Sequence, residues 1–319
     1  MAPQDPPLRT EIRPYGKAAI AEAARLILAD VPVAVPTETV YGLAADASSE
    51  VAVARIYEAK GRPAFNPLIV HVADLAAAER LADLSDAART VALAYWPGAV
   101  TLVVPVKAES GLAPSVTAGL ATVALRCPAH PAMRELIAAC GRPLAAPSAN
   151  ISGEISPTRA DHVMKSLEGR VALILDGGET RHGLESTIVG FADDHITLLR
   201  PGPVPFDEIA ALAQLAAGTA GPGIQAPGQL GSHYAPSKPV RLDAHQGRDD
   251  EWHIGFGAIA GDDNLSPDGD LAEAAARLFH ALHRAEAQGR AAISVAPIPA
   301  NGIGIAINDR LRRAAAPRT

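Results

Sequence analysis

The stretch PTETVYGLAAD (Pro36–Asp46), followed by KGRPAFNPLIVH (Lys60–His71), decides the fold of this chain. The first segment opens directly after the apolar run Val31–Val35. The second places Lys60 and Arg62 just ahead of the run Leu68–Val72. Much later, APSANISG (Ala146–Gly153) puts Ser148 and Asn150 behind the apolar Leu144–Ala146. A short apolar run that empties into small polar and cationic residues reads as a buried strand feeding a ligand-facing loop. A Lys, an Arg, hydroxyls and an amide in one pocket suit a ligand carrying phosphates and a carboxylate.

Outward from this stretch, helical and strand patterns alternate, which predicts an α/β protein built on an open, twisted sheet. Lys17–Asp30 sets Ile20, Ala24, Ile27 and Leu28 on one helical face, and Val31–Val35 follows as a strand. Val51–Lys60 reads as a helix stopped by Gly61 and Pro63, and Leu68–Val72 as a strand. Helices are expected over Leu75–Leu84, Asp86–Tyr95, Pro131–Cys140 and Pro205–Ala217. Strands are expected over Ala99–Val106, Thr122–Leu125, Leu144–Ala146, Val171–Leu175, Thr187–Val189 and Ile196–Leu199.

The 319 residues suit one large and one small domain. The Gly- and Pro-rich tract 218–239 reads as a linker, with a large domain over 1–217 and a small one over 240–319. That small unit holds Val240–Leu242, Glu251–Ile259, a helix over Gly269–Gln288, the strand Ala291–Ala296, the short segment Ile303–Ile307 and a last helix Asp309–Ala315. HYAP (His233–Pro236) sets an imidazole and a phenol in the flexible tract, which suggests a segment that docks as a cover over the larger domain's pocket.

Composition narrows the classes. With 48% hydrophobic and 20% charged residues the chain is ordinarily globular. Aromatics make up only 4%, so Ala, Val, Leu and Ile must build the core. A net charge of −7 argues against a protein that sheathes nucleic acid. Cys127 and Cys140 give neither a disulfide framework nor a paired zinc spacing, and Cys127 with His130 reads as a buried thiol beside a loop histidine. The start MAPQDPPLRTEIRP has acids and prolines where a signal peptide needs a basic and then apolar stretch, and no run reaches about 18 apolar residues. A cytoplasmic protein is expected.

No GxxxxGK[ST] loop is present, and GFGAIAG (Gly255–Gly261) has its third glycine one place late for a dinucleotide loop. Phosphate contacts must then come from scattered side chains: Lys60 and Arg62 around Gly61, with Arg126 and Arg200 each closing an apolar strand ahead of a proline. His71 ends LIVH, and Ser186 and Thr187 open the strand of ESTIVG (Glu185–Gly190). No nucleophile has a base partner by spacing. This favours a reaction run by alignment and charge neutralisation rather than through a covalent intermediate.

In order, PTETVYGLAAD, KGRPAFNPLIVH, YWPGAVTLVV, TVALRCPAHP, APSANISGEISPT, ILDGG, GLESTIVG and LLRPG resemble the motifs of YrdC-type proteins. The APG…HYAP linker with a domain behind it resembles the two-domain threonylcarbamoyl-AMP synthases. The resemblance covers about Ile12 to the C-terminus. It implies an open, twisted YrdC-like sheet domain with a concave cleft, and a small Rossmann-like α/β domain. The resemblance assigns that small domain no catalytic role, and lid support is the expectation here. It implies a nucleotidyltransferase reaction: L-threonine, bicarbonate or CO2, and ATP with Mg2+ give threonylcarbamoyl-adenylate and pyrophosphate. The product would pass to the tRNA threonylcarbamoyl transferase, without stable tRNA binding.

On these motifs Lys60, Arg62, Ser148 and Asn150 match the KxR and SxN nucleotide pattern, with Lys60 and Arg62 as the catalytic cations. Asn66, Thr122, Ser156 and Arg200 would line the ATP side. Thr39, His71, Arg126, the backbone at Ala146, and Ser186 would line the threonine side. Metal ligands are not assigned, although Glu38, Asp46 and Glu185 are nearby carboxylates. Many relatives read PGMKYKHYAP where this chain reads PGQLGSHYAP, so Gly231 stands in the place of a tyrosine. Two other readings stay open: an RNA-binding or ribosome-associated module of the same fold, and a carbamoyl-transferring maturation protein. The second would need zinc-finger and acylphosphatase regions beyond these motifs.

Overall fold

The computed structural model describes residues 8–192, 194–221, 223–229 and 231–317. The Pro-rich start, residues 1–7, lies outside them, as does Leu230 in the linker. The chain runs β1 (Glu11–Pro14), α1 (Lys17–Leu28), β2 (Val33–Val35), β3 (Gly42–Asp46), α2 (Glu50–Lys60), β4 (Ile69–His71), α3 (Leu75–Leu81), α4 (Asp86–Tyr95), β5 (Val100–Pro105), α5 (Pro114–Thr117) and β6 (Thr122–Arg126). It continues through α6 (Pro131–Cys140), β7 (Leu144–Ala145), α7 (Ala160–Leu167), β8 (Leu173–Asp176), β9 (Thr187–Phe191), β10 (His195–Arg200), α8 (Phe206–Ala213) and β11 (Ala216–Gly218). These strands form one mixed sheet of eleven, ordered β1-β8-β2-β3-β7-β4-β6-β5-β9-β10-β11.

Alternation along the central strands explains the cleft. Successive side chains of a strand point to opposite faces. Val70, Leu102, Val104, Val123, Leu125 and Val189 join the core that packs under the helices. Their neighbours Ile69, Val103, Ala124 and Ile188 face the other way and are covered by Ala226 of the linker. His71, Thr101 and Arg126 share the parity of this second face. The cleft is therefore a trough along one face of the sheet, not a row of strand ends alone.

Three sequence expectations change. β3 was not foreseen, because GLAAD carries no β-branched residue; burial of all five positions between neighbouring strands makes it a strand. Residues expected to finish a helix at Ala217 instead form β11, since α8 stops at Gln214, which has a positive φ of 55°. Ile303–Ile307 is not a separate segment, because it falls in the first turns of the last helix (Gly304–Ala315).

The second unit holds β12 (Val240–Arg241), β13 (Glu251–Gly255), β14 (Asp263–Asn264), α9 (Leu271–Ala287), β15 (Ala292–Val295) and α10 (Gly304–Ala315). Its four strands, ordered β12-β15-β13-β14, are all parallel. Its apolar core runs on into Val40, Ile155, Leu184 and Tyr234, so the small unit is packed against the wall of the cleft. Gly183 lets α9 approach: a Cβ there would lie 2.4 Å from the Ala276 carbonyl oxygen.

Three histidines also meet at this seam. His162 of α7 stacks on His283 of α9 with ring centroids 3.9 Å apart, and His280 Nδ1 lies 3.2 Å from His162 Nε2. Burial first, then repulsion from His283, lowers the His162 pKa to about 3. Burial likewise lowers that of His283 to about 4. Asp161 favours the charged form of both rings, whereas Lys165 opposes it at His283 and Arg159 at His162. A histidine held neutral stabilises the fold fully above its unfolded pKa of about 6.5, and that contribution is lost as pH falls toward the folded value. The urea midpoint should therefore decline as pH drops below about 6.5, and His283→Leu should flatten that slope. An unchanged slope in the variant would exclude the seam as its source.

Candidate active site

The site starts with how α2 ends. Ser49 caps its N-terminus by accepting from the Ala52 N–H, and Gly61, at a positive φ of 57°, terminates it. Lys60 is thus the last helical residue and Arg62 the first beyond the turn. Lys60 is buried and donates to the carbonyls of Ser148 and Asn150, both at 2.6 Å. An ammonium carries three N–H donors, so one remains. Burial, with Arg62 close by, pushes the Lys60 pKa well below its ordinary value. Arg62 is fixed by Asn66, through the backbone oxygen at 3.0 Å and Oδ1 at 2.7 Å, and by the Pro67 carbonyl at 2.7 Å. Burial lowers its pKa to about 10.

β4 and β6 are parallel with His71 opposite Arg126, which brings both to one end of the trough. Arg126 donates to Thr39 Oγ1 at 2.8 Å, Glu38 Oε1 at 2.5 Å and the Gly98 carbonyl at 3.0 Å. Two of its five N–H donors stay available for a ligand. Burial would raise the Glu38 pKa, but the Arg126 guanidinium and backbone amides overcome it and hold the pKa at about 2. His71 is kept neutral, with its pKa lowered to about 3 by burial and then by Arg126. Arg200 closes β10 and donates to the Ser186 carbonyl at 3.0 Å and hydroxyl at 3.1 Å, and Ser186 meets Thr101 at 2.7 Å.

Thr39, His71, Arg126, Ala146, Ser148, Ser186, Arg62 and Arg200 line one cavity. Lys60, Asn66 and Asn150 stand directly behind it, joined to Arg62 and Ser148 by the hydrogen bonds above. Ser156 bonds Glu185, which lines the cavity. Thr122 lies apart. It shares the face of Arg126 but sits four positions earlier on β6, about 13 Å along the strand and beyond Ala124.

Sequence reasoning passed over the ion pair of Glu38 with Arg126, and Arg310, whose contacts reach the cavity wall from α10. NDRLRR (Asn308–Arg313) looks like a solvated basic helix face, and no pattern in it marks one arginine as buried. The Cys127 thiol donates to the Ala73 carbonyl at 3.2 Å, and His130 Nδ1 accepts from the Ala132 N–H.

The linker roofs the cavity. Pro227, Gly228, His233 and Tyr234 all line it. Tyr234 is buried at a positive φ of 61°, a strained conformation for an aromatic residue. Beneath this roof about 40 Å3 remains, room for a few water molecules. Buried polar atoms without a hydrogen-bond partner gather around it: Asn66 Nδ2, His71 Nδ1, Asn150 Oδ1, His233 Nδ1 and the Tyr234 hydroxyl. Leaving such an atom unpaired costs roughly 1–3 kcal/mol, so their concentration marks a place built for a polar ligand. Outside the roof, Gly231, Pro63 and Phe65 border a groove of about 550 Å3. Nothing lies within 4 Å of where a Gly231 side chain would start, so a larger residue there would begin in open space.

A mixed α/β sheet with a roofed, cation-lined trough defines the YrdC class of fold. The family described as telomere recombination, the Sua5/YciO/YrdC group, matches residues 25–202. The threonylcarbamoyl-AMP synthase C-terminal domain matches residues 204–316. The chain belongs to this two-part family. It is 41% identical to the threonylcarbamoyl-AMP synthase of Bacillus subtilis, over 94% of this chain and 93% of that one. A Pyrococcus abyssi enzyme of the same name is also 41% identical, over 88% of this chain and 89% of its own length. The crystal structure of P. abyssi Sua5 complexed with L-threonine superposes with a TM-score of 0.85 at 37% identity, covering 97% of both chains.

Proposed function

We infer that this protein is a threonylcarbamoyl-AMP synthase that joins a threonine carbamate to the adenylyl group of ATP. The observation that carries the reading is the set of unpartnered buried polar atoms between two differently charged walls. One wall, with Thr39, His71, Arg126 and Ser186, suits an amino acid: Arg126 retains donors for a carboxylate, and neutral His71 offers Nδ1 to a hydroxyl or amine. The other, with Lys60, Arg62, Ser148, Asn150 and Arg200, suits a polyphosphate. Asn66 and Ser156 extend that wall, and Thr122 would meet the nucleotide only along the opened trough.

The threonine amine adds to CO2, loses a proton and gives a carbamate. A carbamate oxygen then attacks the α-phosphorus, and pyrophosphate leaves with the electron pair of the broken P–O bond. Two anions must be held together, which is electrostatic work for fixed cations. Closure of His233 and Tyr234 would exclude water from a labile carbamate and mixed anhydride.

Mg2+ is best read as arriving with ATP. Glu38, Asp46 and Glu185 are each committed to an arginine: Arg126, Arg142 and Arg310. No group of three or more metal-ligating side chains occurs among the described residues. Delivery of the product to a tRNA-modifying transferase is part of the same proposal. No helix among the described residues is long and apolar enough to cross a membrane. The RNA-binding alternative is not favoured, since the cations are buried behind the linker.

The test is pyrophosphate release from MgATP with threonine and bicarbonate omitted in turn. Release requiring both, with serine a poor substitute, is the expected result. Release independent of either would overturn the reading.

A further inference from the structure

α10 sends one side chain into the wall of the active site. Arg310 is fully buried, with 0% of its surface exposed. Its Nε donates to Glu185 Oε2 at 2.8 Å, and one terminal nitrogen donates to the Pro201 carbonyl at 2.9 Å. The other terminal nitrogen is held by Asp309 at 2.7 Å. Its guanidinium carbon also lies 5.1 Å from the centre of the Tyr234 ring, in cation–π range.

These contacts converge on the site. Glu185 lines the cavity, precedes Ser186 and takes the Ser156 hydroxyl on its second oxygen. Pro201 follows Arg200, whose guanidinium holds Ser186. Tyr234 forms part of the roof. A planar fork is needed to meet all three at once; a lysine supplies the charge but not the geometry. We propose that Arg310 is a positioning residue for synthesis, by which the C-terminal domain sets the Glu185–Ser186–Arg200 wall and seats Tyr234 in the closed roof.

The proposal rests on the synthase reading for its kinetic arm, whereas its second arm is independent of activity. Loss of the fork frees the roof and misplaces the wall, and misplacement on the order of 1 Å costs about a hundredfold in rate. In the full-length chain, Arg310→Met should lower kcat with MgATP and threonine by about a hundredfold. The KM for threonine should move less than kcat, because Ser186 shifts while Arg126, which meets the carboxylate, keeps its partners. A protease of broad specificity should nick the 219–232 tract faster in Arg310→Met than in the native chain. Tyr234→Leu should reproduce the faster nicking, and the double variant should nick no faster than either single one, because both release the same contact.

Arg310→Lys, which keeps the charge, should fall between native and Arg310→Met in both measurements and serves if the Met variant does not fold. Folded variants with native kcat and native linker protection would overturn the proposal. So would equal losses in kcat and threonine affinity with the linker still protected, since that pattern describes a general structural defect. If the native chain itself releases no pyrophosphate, the synthase reading fails, and linker protection alone then decides whether Arg310 seats the roof.

Discussion

Arg126→Ala is expected to remove threonine binding and a large part of the fold's stability together. The side chain is buried and holds Glu38, which is buried with it. Truncation leaves a carboxylate away from water with backbone amides, those of Ala129 and His130 among them, but no counter-charge from Arg126 to meet it. Stranding one partner of a buried pair costs about 3–5 kcal/mol. The Glu38 pKa, now about 2, should climb above the ordinary carboxylate value in the variant. The sign of the pH dependence follows. Native Glu38 contributes stability above about pH 4.5 that is lost as pH falls toward 2, whereas the variant's raised carboxyl destabilises above that same pH. The stability deficit should thus be largest near neutrality and shrink in acid.

Arg126→Ala combined with Glu38→Gln separates the two roles. Stability, read by urea unfolding, should return in large part. Threonine binding, read by titration calorimetry, should stay lost. Native threonine affinity in either variant would remove Arg126 from the carboxylate.

Lys60→Ala should lower pyrophosphate release by about a hundred- to a thousandfold, the scale for deleting one preorganised electrostatic contact. The fold should also feel this change, because the ammonium satisfies the Ser148 and Asn150 carbonyls. Some loss of stability should accompany the loss of turnover. Lys60→Arg, which keeps donors near both carbonyls, should recover stability more fully than activity. The depressed pKa adds a second readout. Burial and Arg62 lower the Lys60 pKa, and an entering polyphosphate should raise it again. Any proton taken up with MgATP, read by calorimetry in buffers of different ionisation enthalpy, should be absent in Lys60→Ala. Normal turnover in a folded Lys60→Ala protein would dismiss the assignment.

The site's parts were legible to different degrees. Lys60, Arg62, His71, Arg126 and Arg200 could be picked out because each adjoins a short apolar run, and buried strands deliver their end residues to the same region. Thr39, Ser148 and Ser186 came with them through loops of characteristic composition. Glu38 was visible only as a nearby carboxylate. Its role depends on the loop after β2 reaching the end of β6, four places along the sheet, a long-range contact that no local pattern encodes.

His162, His280 and His283 gave no signal, because His162 lies 118 or more positions from the other two and meets them only when α7 and α9 pack. Arg310 was hidden for the same reason. By composition the last helix is a basic surface helix, and only its docking against Glu185 and Tyr234 buries the charge.

Although it did not mark β1, β3, α5, α7 or β11, local chemistry was thus sufficient for the α/β class, most of the central strands and helices, the cation-rich loops and the Gly/Pro linker. Each of these follows from residue preferences acting over a few positions: apolar periodicity, Gly61 terminating a helix, small polar residues after a buried strand. The tertiary structure alone decided which carboxylate neutralises which guanidinium, that the cleft is a trough along a sheet face, and that Tyr234 of the covering linker packs against Arg310. Those outcomes rest on contacts between residues far apart in the chain. Their free energy depends on burial and geometry, and these exist only once the sheet and both units have come together.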